Sequence, residues 1–338
     1  MSILDFSAKG LLDKHIVPWK GESSNFKVPT LEEIREARKK KIVITISCVY
    51  GDDMDDRLRD YCDDSADGSG MRTFAFAGIV GTQEEWDEIK PAWLKCTGGK
   101  EFHGTNCESG HGDYKGIPLE KRLEEYKNLT AIIADESKLY GFGVSVDIDA
   151  MYSNLPEAKE DAPYFNCFMR VIMGLAERGY LSQPQKKVQF NFDKNLRRKH
   201  NSILMLELLS QWPDCEYARY IDIGDERFLS HEHPEIQAAC LLAHDTMKYL
   251  DNILLAEGLP TRKSLNRLLK TNRFICHVYD RGYFDAISKI MKEDVDKFNA
   301  ADSDYKQWLL KRRIDDNNTN KITYLLSTIP PKPIIIRR

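Results

Sequence analysis

The stretch YCDDSADGSG, residues 61–70, carries three aspartates in five positions, Asp63, Asp64 and Asp67, between two apolar runs. Aspartate and glycine satisfy turn geometry, so a solvated hairpin loop accounts for such a run. The other reading makes Asp63, at the end of a strand entering a sheet, one arm of a carboxylate site for a divalent cation. A second residue of that kind is Asp193, which closes an alternating run in which Val188, Phe190 and Phe192 are interleaved with Gln189, Asn191 and Asp193. Strand C-termini are where open α/β sheets place ligands. A third source is the glycine-rich segment CTGGKEFHGTNCESGHGDYKGIP, whose Glu101 and His103 could ligate a metal or move a proton. The same segment gathers Cys96, His103, Cys107 and His111, donors that tetrahedral zinc could use, although their spacings fit no common finger and a flexible loop explains the glycines equally well.

Positioning these groups requires a sheet. RLRDYCDDS and MRTFAFAGIVG read as two strands joined by the aspartate-rich turn, antiparallel because the link is short. Thr82 and Glu85 have the spacing of a capping box and open a helix with Trp86, Ile89 and Trp93 on one face, which Pro91 should bend or break. PLEKRLEEYKNLTAIIADES is a second helix with proline near its first turn. YGFGVSVDID is a strand, with Asp147 and Asp149 read as edge charges. APYFNCFMRVIMGLAERGYL is a helix with Phe165, Phe168, Met169, Ile172 and Leu175 on one face. After KKVQFNFDKN come a helix (RKHNSILMLELLSQW), a strand (CEYARYIDIGD) and a long helix (PEIQAACLLAHDTMKYLDNILL). Without a helical, glycine-rich insertion at about 82–137, the order is three strands, then helix, strand, helix, strand, helix. That is the element order of the ribonuclease H fold: α/β, a mixed sheet of an antiparallel three-strand meander plus helix-linked parallel strands. In it the first strand and the strand after the first long helix are parallel neighbours, so Asp63 and Asp193 would face one another.

With 338 residues, 42% hydrophobic and 30% charged, the chain can bury a full core. No apolar run approaches the roughly 20 residues that cross a bilayer, and the N-terminus lacks the basic-then-apolar order of a signal peptide, so a cytoplasmic, non-membrane protein is expected. Eight scattered cysteines without a CxxC pair argue against a disulfide framework. The net charge of -4 conceals an asymmetry: residues 261–338 hold 17 Lys and Arg against 9 Asp and Glu. Such a segment permits a polyanionic partner, and a solvated helical face explains it equally. The expected division is an N-terminal extension at 1–54, a ribonuclease-H-like domain at 55–260, and a basic C-terminal helical extension and tail at 261–338.

Four short motifs, YCDDSAD (61–67), EFHG (101–104), NFD (191–193) and EIQAACLLAHD (235–245), resemble in kind and order those of the uncharacterised ribonuclease-H-like proteins grouped as domain of unknown function 3800. The resemblance covers about residues 55–260. It implies a site built from Asp63, Glu101 and Asp193, with His103 nearby. The sequence departs from the family in three places: Asp64 replaces a glutamate, Ala66 a glycine, and Cys240 the aspartate of the late helix. A thiol is a poor ligand for Mg²⁺. His244, four residues after Cys240 on the same helical face, is expected to substitute for it, while Asp245 is turned away.

The expectation is a metal-dependent phosphodiesterase, a nuclease using Mg²⁺ or Mn²⁺. Asp63 would bridge two cations, Asp193 and Glu101 would complete the shell, and His103 and His244 would serve as catalytic groups. Nucleic acid is the expected partner, through the site and the basic C-terminal segment. The competing expectation is a catalytically degenerate module of the same fold that binds nucleic acid or protein.

Overall fold

The computed structural model describes residues 57–156, 158, 160–183, 186–196, 199–210, 217–255 and 261–300. The expected N-terminal extension, the WLLKRR segment and the terminal IPPKPIIIRR lie outside the described residues.

Strands β1 (Leu58–Ala66) and β2 (Thr73–Gly81) form the antiparallel hairpin read from the sequence. Its turn is built by Asp67, whose carboxylate accepts from the backbone N–H groups of Ser69, Arg72 and Thr73 at 3.0–3.1 Å, while Gly70 takes the left-handed conformation at φ 64°. The aspartate-rich stretch therefore divides its labour, with Asp67 serving the turn and Asp63 left for the sheet.

The insertion follows. Helix α1 (Gln83–Thr97) starts with the expected capping box and buries Trp86, Ile89 and Trp93. It is unbroken at Pro91, because Pro91 and Asp87, four residues earlier, are both exposed and the freed carbonyl meets solvent. The glycine-rich segment is not all loop: it folds into α2 (Gly104–Ser109) and a 3₁₀ turn (Gly112–Tyr114). Helix α3 (Leu119–Ala131), with Pro118 at its N-cap, continues into a π turn (Ile132–Glu136).

Then come β3 (Tyr140–Asp147), α4 (Ile148–Asn154), α5 (Ala162–Ser182), β4 (Val188–Asp193), α6 (Lys199–Ser210), β5 (Ile221–Leu229) and α7 (Pro234–Leu255). Strand β5 begins later than the sequence pattern indicates and runs on to Leu229. Its pairing with β4 contains an irregularity between Gln189 and Asn191 that carries the later part forward, to Asp193 opposite Leu229. The region beyond 261 is not purely helical. Between α8 (Lys263–Lys270) and α9 (Arg281–Ala300), β6 (Phe274–Tyr279) pairs in parallel with β3 and so belongs to the central sheet.

The strand order is β5-β4-β1-β2-β3-β6, antiparallel across β1-β2-β3 and parallel elsewhere. The fold is the expected ribonuclease-H-like mixed sheet, with one further strand beside β3. Helix α5 covers one face, where Phe168, Met169, Ile172 and Leu175 meet Leu58, Cys62, Val188, Phe190 and Phe192. Helix α7 and the insertion cover the other, joining Tyr61, Ile79, Trp86, Trp93 and Phe102 to Ile236, Ala239 and Leu241. A sheet buried on both faces makes the alternation in β4 mean something other than inside and outside. Gln189, Asn191 and Asp193 are each 1% exposed and turn toward α7.

Candidate metal centre

Register brings the two aspartates together. β1 and β4 run parallel with Cys62 opposite Phe192, so the next residues, Asp63 and Asp193, stand side by side at the C-terminal ends of neighbouring strands. Both are buried. Because Cys62 and Phe192 point into the α5 core, period-2 geometry turns both carboxyl groups toward α7.

The third member was not anticipated from the sequence. Two residues beyond β5, His231 places Nε2 2.6 Å from Asp193 Oδ2 and 3.7 Å from Asp63 Oδ2. Its Nδ1 lies 3.3 Å from the Phe102 carbonyl oxygen, a partner that only a protonated Nδ1 satisfies. Nε2 then approaches the carboxylates carrying a proton or bound to a cation, since a bare lone pair that close to a carboxylate oxygen is repulsive. The arrangement matches that of metal-ligating histidines, whose second nitrogen donates to a carbonyl or carboxylate. Gln237 holds the His231 backbone: its Nε2 donates to the His231 carbonyl at 2.5 Å and its Oε1 accepts from Trp93 Nε1 at 2.7 Å. The available signal was HEHP (231–234), at a strand's C-terminal end immediately before a helix.

Two further donors close the group. Cys240, on α7, hydrogen-bonds Asp63 and meets the Gly104 backbone, so the late-helix position does face the site. His103 is the N-cap of α2, half-buried, with its ring 5.2 Å from that of His231. Gly104 lets the start of α2 lie against α7, because a Cβ there would lie 2.7 Å from the His244 side chain. Two overlapping triads result, Asp63–Asp193–His231 and His103–His231–Cys240, in each of which the ligand atoms lie within 4.8 Å of one another. His103 Nδ1 is buried without a partner, and Asp193 Oδ2, despite the short approach of His231, has no aligned hydrogen-bond donor. Orphaned buried atoms of this kind fit a cation-binding centre.

Electrostatics divides the protons. Burial, with Asp64 and Asp193 adding repulsion, pushes the Asp63 carboxyl up to about 8 against the pull of His231. Burial also opposes charge on Asp193, but His231 and the Asn195 N–H outweigh it and hold that carboxyl below its usual range. His231 is raised, because Asp193 and Asp63 overcome its burial. Burial and the neighbouring His231 push His103 down to about 4. At neutral pH without a metal, Asp63 therefore keeps its proton and His103 is neutral, while the lowered Asp193 and the raised His231 favour each other's charged forms.

Other expected site residues lie elsewhere. The Glu101 side chain is exposed and belongs to neither triad. The segment curls into α2 immediately after it, and Phe102 takes the inward position instead. His244 is buried on the expected stripe, but its Nε2 lies 2.7 Å from Glu108 Oε2 and its Nδ1 faces Thr105, so α2 has engaged it rather than the aspartates. Asp245 is fully buried against Tyr126 Oη at 2.9 Å and Arg262 Nε at 3.1 Å. The alternative zinc set is dispersed: Cys96 donates to the Glu125 carbonyl, Cys107 to that of Arg122, and His111 pairs with Ser109. Asp147 caps α4 through the Ala150 N–H. In the basic segment, Arg262 and Arg267 are in ion pairs and Arg273 donates to the carbonyls of Ala134 and Leu139. Among the described residues no helix is long and apolar enough to cross a membrane.

No family model matches the chain, and no curated protein sequence does. Among solved structures, a chain of the PCNA:RNase HII complex from Archaeoglobus fulgidus is similar at 12% identity and a TM-score of 0.35, covering 63% of this chain and 85% of that one. A point mutant of Bst-RNase HIII is similar at 13% identity and a TM-score of 0.34, covering 64% of this chain and 63% of that one. The strand order, not these likenesses, defines the fold.

Proposed function

We propose that the protein is a divalent-metal-dependent phosphodiesterase, a nuclease, whose ion is held by Asp63, Asp193 and His231. The observation that supports this reading is the buried carboxylate pair at the ends of two neighbouring parallel strands with an imidazole between them. A bound cation would polarise a phosphoryl oxygen and lower the pKa of a coordinated water. Two carboxylates and an imidazole favour Mn²⁺ over Mg²⁺, because the nitrogen donor suits the softer ion. With Glu101 exposed, the arrangement fits one ion rather than the bridged pair expected from the sequence.

The remaining roles fall to residues already in place. His103 is half-buried and neutral at working pH, so it is the base that can meet a substrate proton beside the carboxylates. Exposed Lys194, directly after Asp193, offers a cation to a phosphate arriving at that end of β4. Nucleic acid is the substrate class this combination fits. The same four motifs keep the affinity with domain of unknown function 3800 as part of the proposal.

Cleavage of single- and double-stranded DNA and RNA with Mn²⁺ and with Mg²⁺ tests it, on wild type, Asp63→Asn and His231→Ala. Metal-dependent cleavage lost in both variants is expected. Absence of cleavage and of Mn²⁺ binding in the wild type would overturn the proposal. One observation favours a second reading, a degenerate binding module: Cys240 supplies sulfur where a third carboxylate would serve Mg²⁺. Cys240→Asp should raise Mg²⁺-dependent cleavage in an enzyme and leave a pure binder inactive.

A further inference from the structure

We propose that His103, His231 and Cys240 form a soft-donor site that selects a thiophilic divalent ion, of which Zn²⁺ is the natural representative, over Mg²⁺. The three side chains come from separate elements, the N-cap of α2, the β5–α7 connection and the second turn of α7, and their ligand atoms converge within 4.8 Å. Two imidazoles and one thiolate with an open fourth position are a donor set that tetrahedral zinc accepts and that octahedral, oxygen-seeking Mg²⁺ does not.

Each donor is available. His103 Nδ1 is buried with no partner. His231 has Nδ1 turned to the Phe102 carbonyl, which leaves Nε2 to ligate. The Cys240 thiol is buried beside Asp63 and the Gly104 backbone rather than in an apolar cluster. A thiol at 240 is a poor ligand for Mg²⁺ beside carboxylates alone. Beside His103 and His231, sulfur completes a set of soft and borderline donors.

The inference shares His231 with the phosphodiesterase reading, so a soft ion bound here replaces the carboxylate-held ion and takes His103 out of its role as a base; its test does not depend on cleavage. Full-length protein stripped with a chelator is titrated with Co²⁺ alone and followed by absorbance. A thiolate-to-cobalt charge-transfer band saturating at one equivalent is expected in the wild type and in Cys96→Ser and Cys107→Ser. Cys240→Ser and Cys240→Ala should lose it, with circular dichroism matching the wild type in at least one of the two, and His103→Ala should weaken it. Zn²⁺ should displace the cobalt and bind the wild type at least roughly tenfold tighter than Cys240→Ser, since losing even a group that only orients a ligand costs about 10–100-fold in metal affinity. Asp63→Asn should keep the band, so a failed nuclease and a failed soft-donor site give different results. No thiolate band in the wild type, or a band that survives both Cys240 variants, would overturn the inference.

Discussion

Replacing Asp63 by asparagine should change the stability of the metal-free protein in opposite directions at acid and neutral pH. A carboxyl whose pKa rises from 3.8 to about 8 on folding favours the folded state least where it must ionise. Its contribution is neutral below pH 3.8, becomes steadily unfavourable as pH rises, and levels off above about 8. At about 1.36 kcal/mol per pH unit, the buried Asp63 costs the fold about 4 kcal/mol at pH 7 but only about 1 kcal/mol at pH 4.5. Asparagine has the same shape and no charge, and its buried amide carries a pH-independent penalty of about 1–3 kcal/mol where unpartnered. Asp63→Asn should therefore be more stable than wild type by about 1–3 kcal/mol at pH 7 in EDTA, and equal or less stable at pH 4.5. Urea unfolding at the two pH values measures this directly. With Mn²⁺ at a hundredfold its Kd the variant's advantage should vanish or reverse, since the wild type gains about 2.7 kcal/mol from binding and the variant lacks a ligand. If Asp63→Asn is destabilised equally at both pH values in EDTA, burial and the neighbouring carboxylates do not raise the Asp63 carboxyl as described, and the account of the pair is wrong.

Calorimetry of Mn²⁺ binding at pH 7 in buffers of different ionisation enthalpy should report release of more than one proton per ion, from Asp63 and His231, and about one fewer in Asp63→Asn. Gln237→Leu should destabilise the fold by about 1–3 kcal/mol in urea, because it strands Trp93 Nε1 and the His231 carbonyl in a buried setting, and should weaken Mn²⁺ binding where a merely structural change would not. Asp67→Ala should cost about 1–3 kcal/mol at pH 7 by unpairing three backbone N–H groups. Because the hydrogen bonds from Ser69, Thr73 and Arg72 outweigh the effect of burial and hold that carboxyl down at about 2, the wild-type advantage should be full above pH 3.8 and disappear as pH falls toward 2. A variant whose deficit is the same at pH 2.5 and 7 would contradict that assignment.

Strand alternation and element order determined a good deal. They gave the meander, the helix-linked parallel strands and the adjacency of Asp63 and Asp193, because a period-2 pattern fixes which face a side chain takes and parallel pairing fixes which strand ends coincide. Helical periodicity likewise placed Cys240 and His244 on one stripe. What each residue of that stripe touches depends on segments distant in sequence. The glycine-rich insertion folds α2 across α7, and that helix gives His244 a Glu108 partner while bringing His103 to Cys240. The register of β5 against β4, with its irregularity, sets where the strand ends and thus carries His231 to the aspartates. Strand β6 reads locally like any short apolar run in a basic, helix-rich segment, and only the open edge of β3 makes it part of the sheet. Local patterns encode which way a side chain points. The meeting of side chains more than a hundred residues apart is decided by long-range packing, and His103 meets His231 and Cys240 in that way.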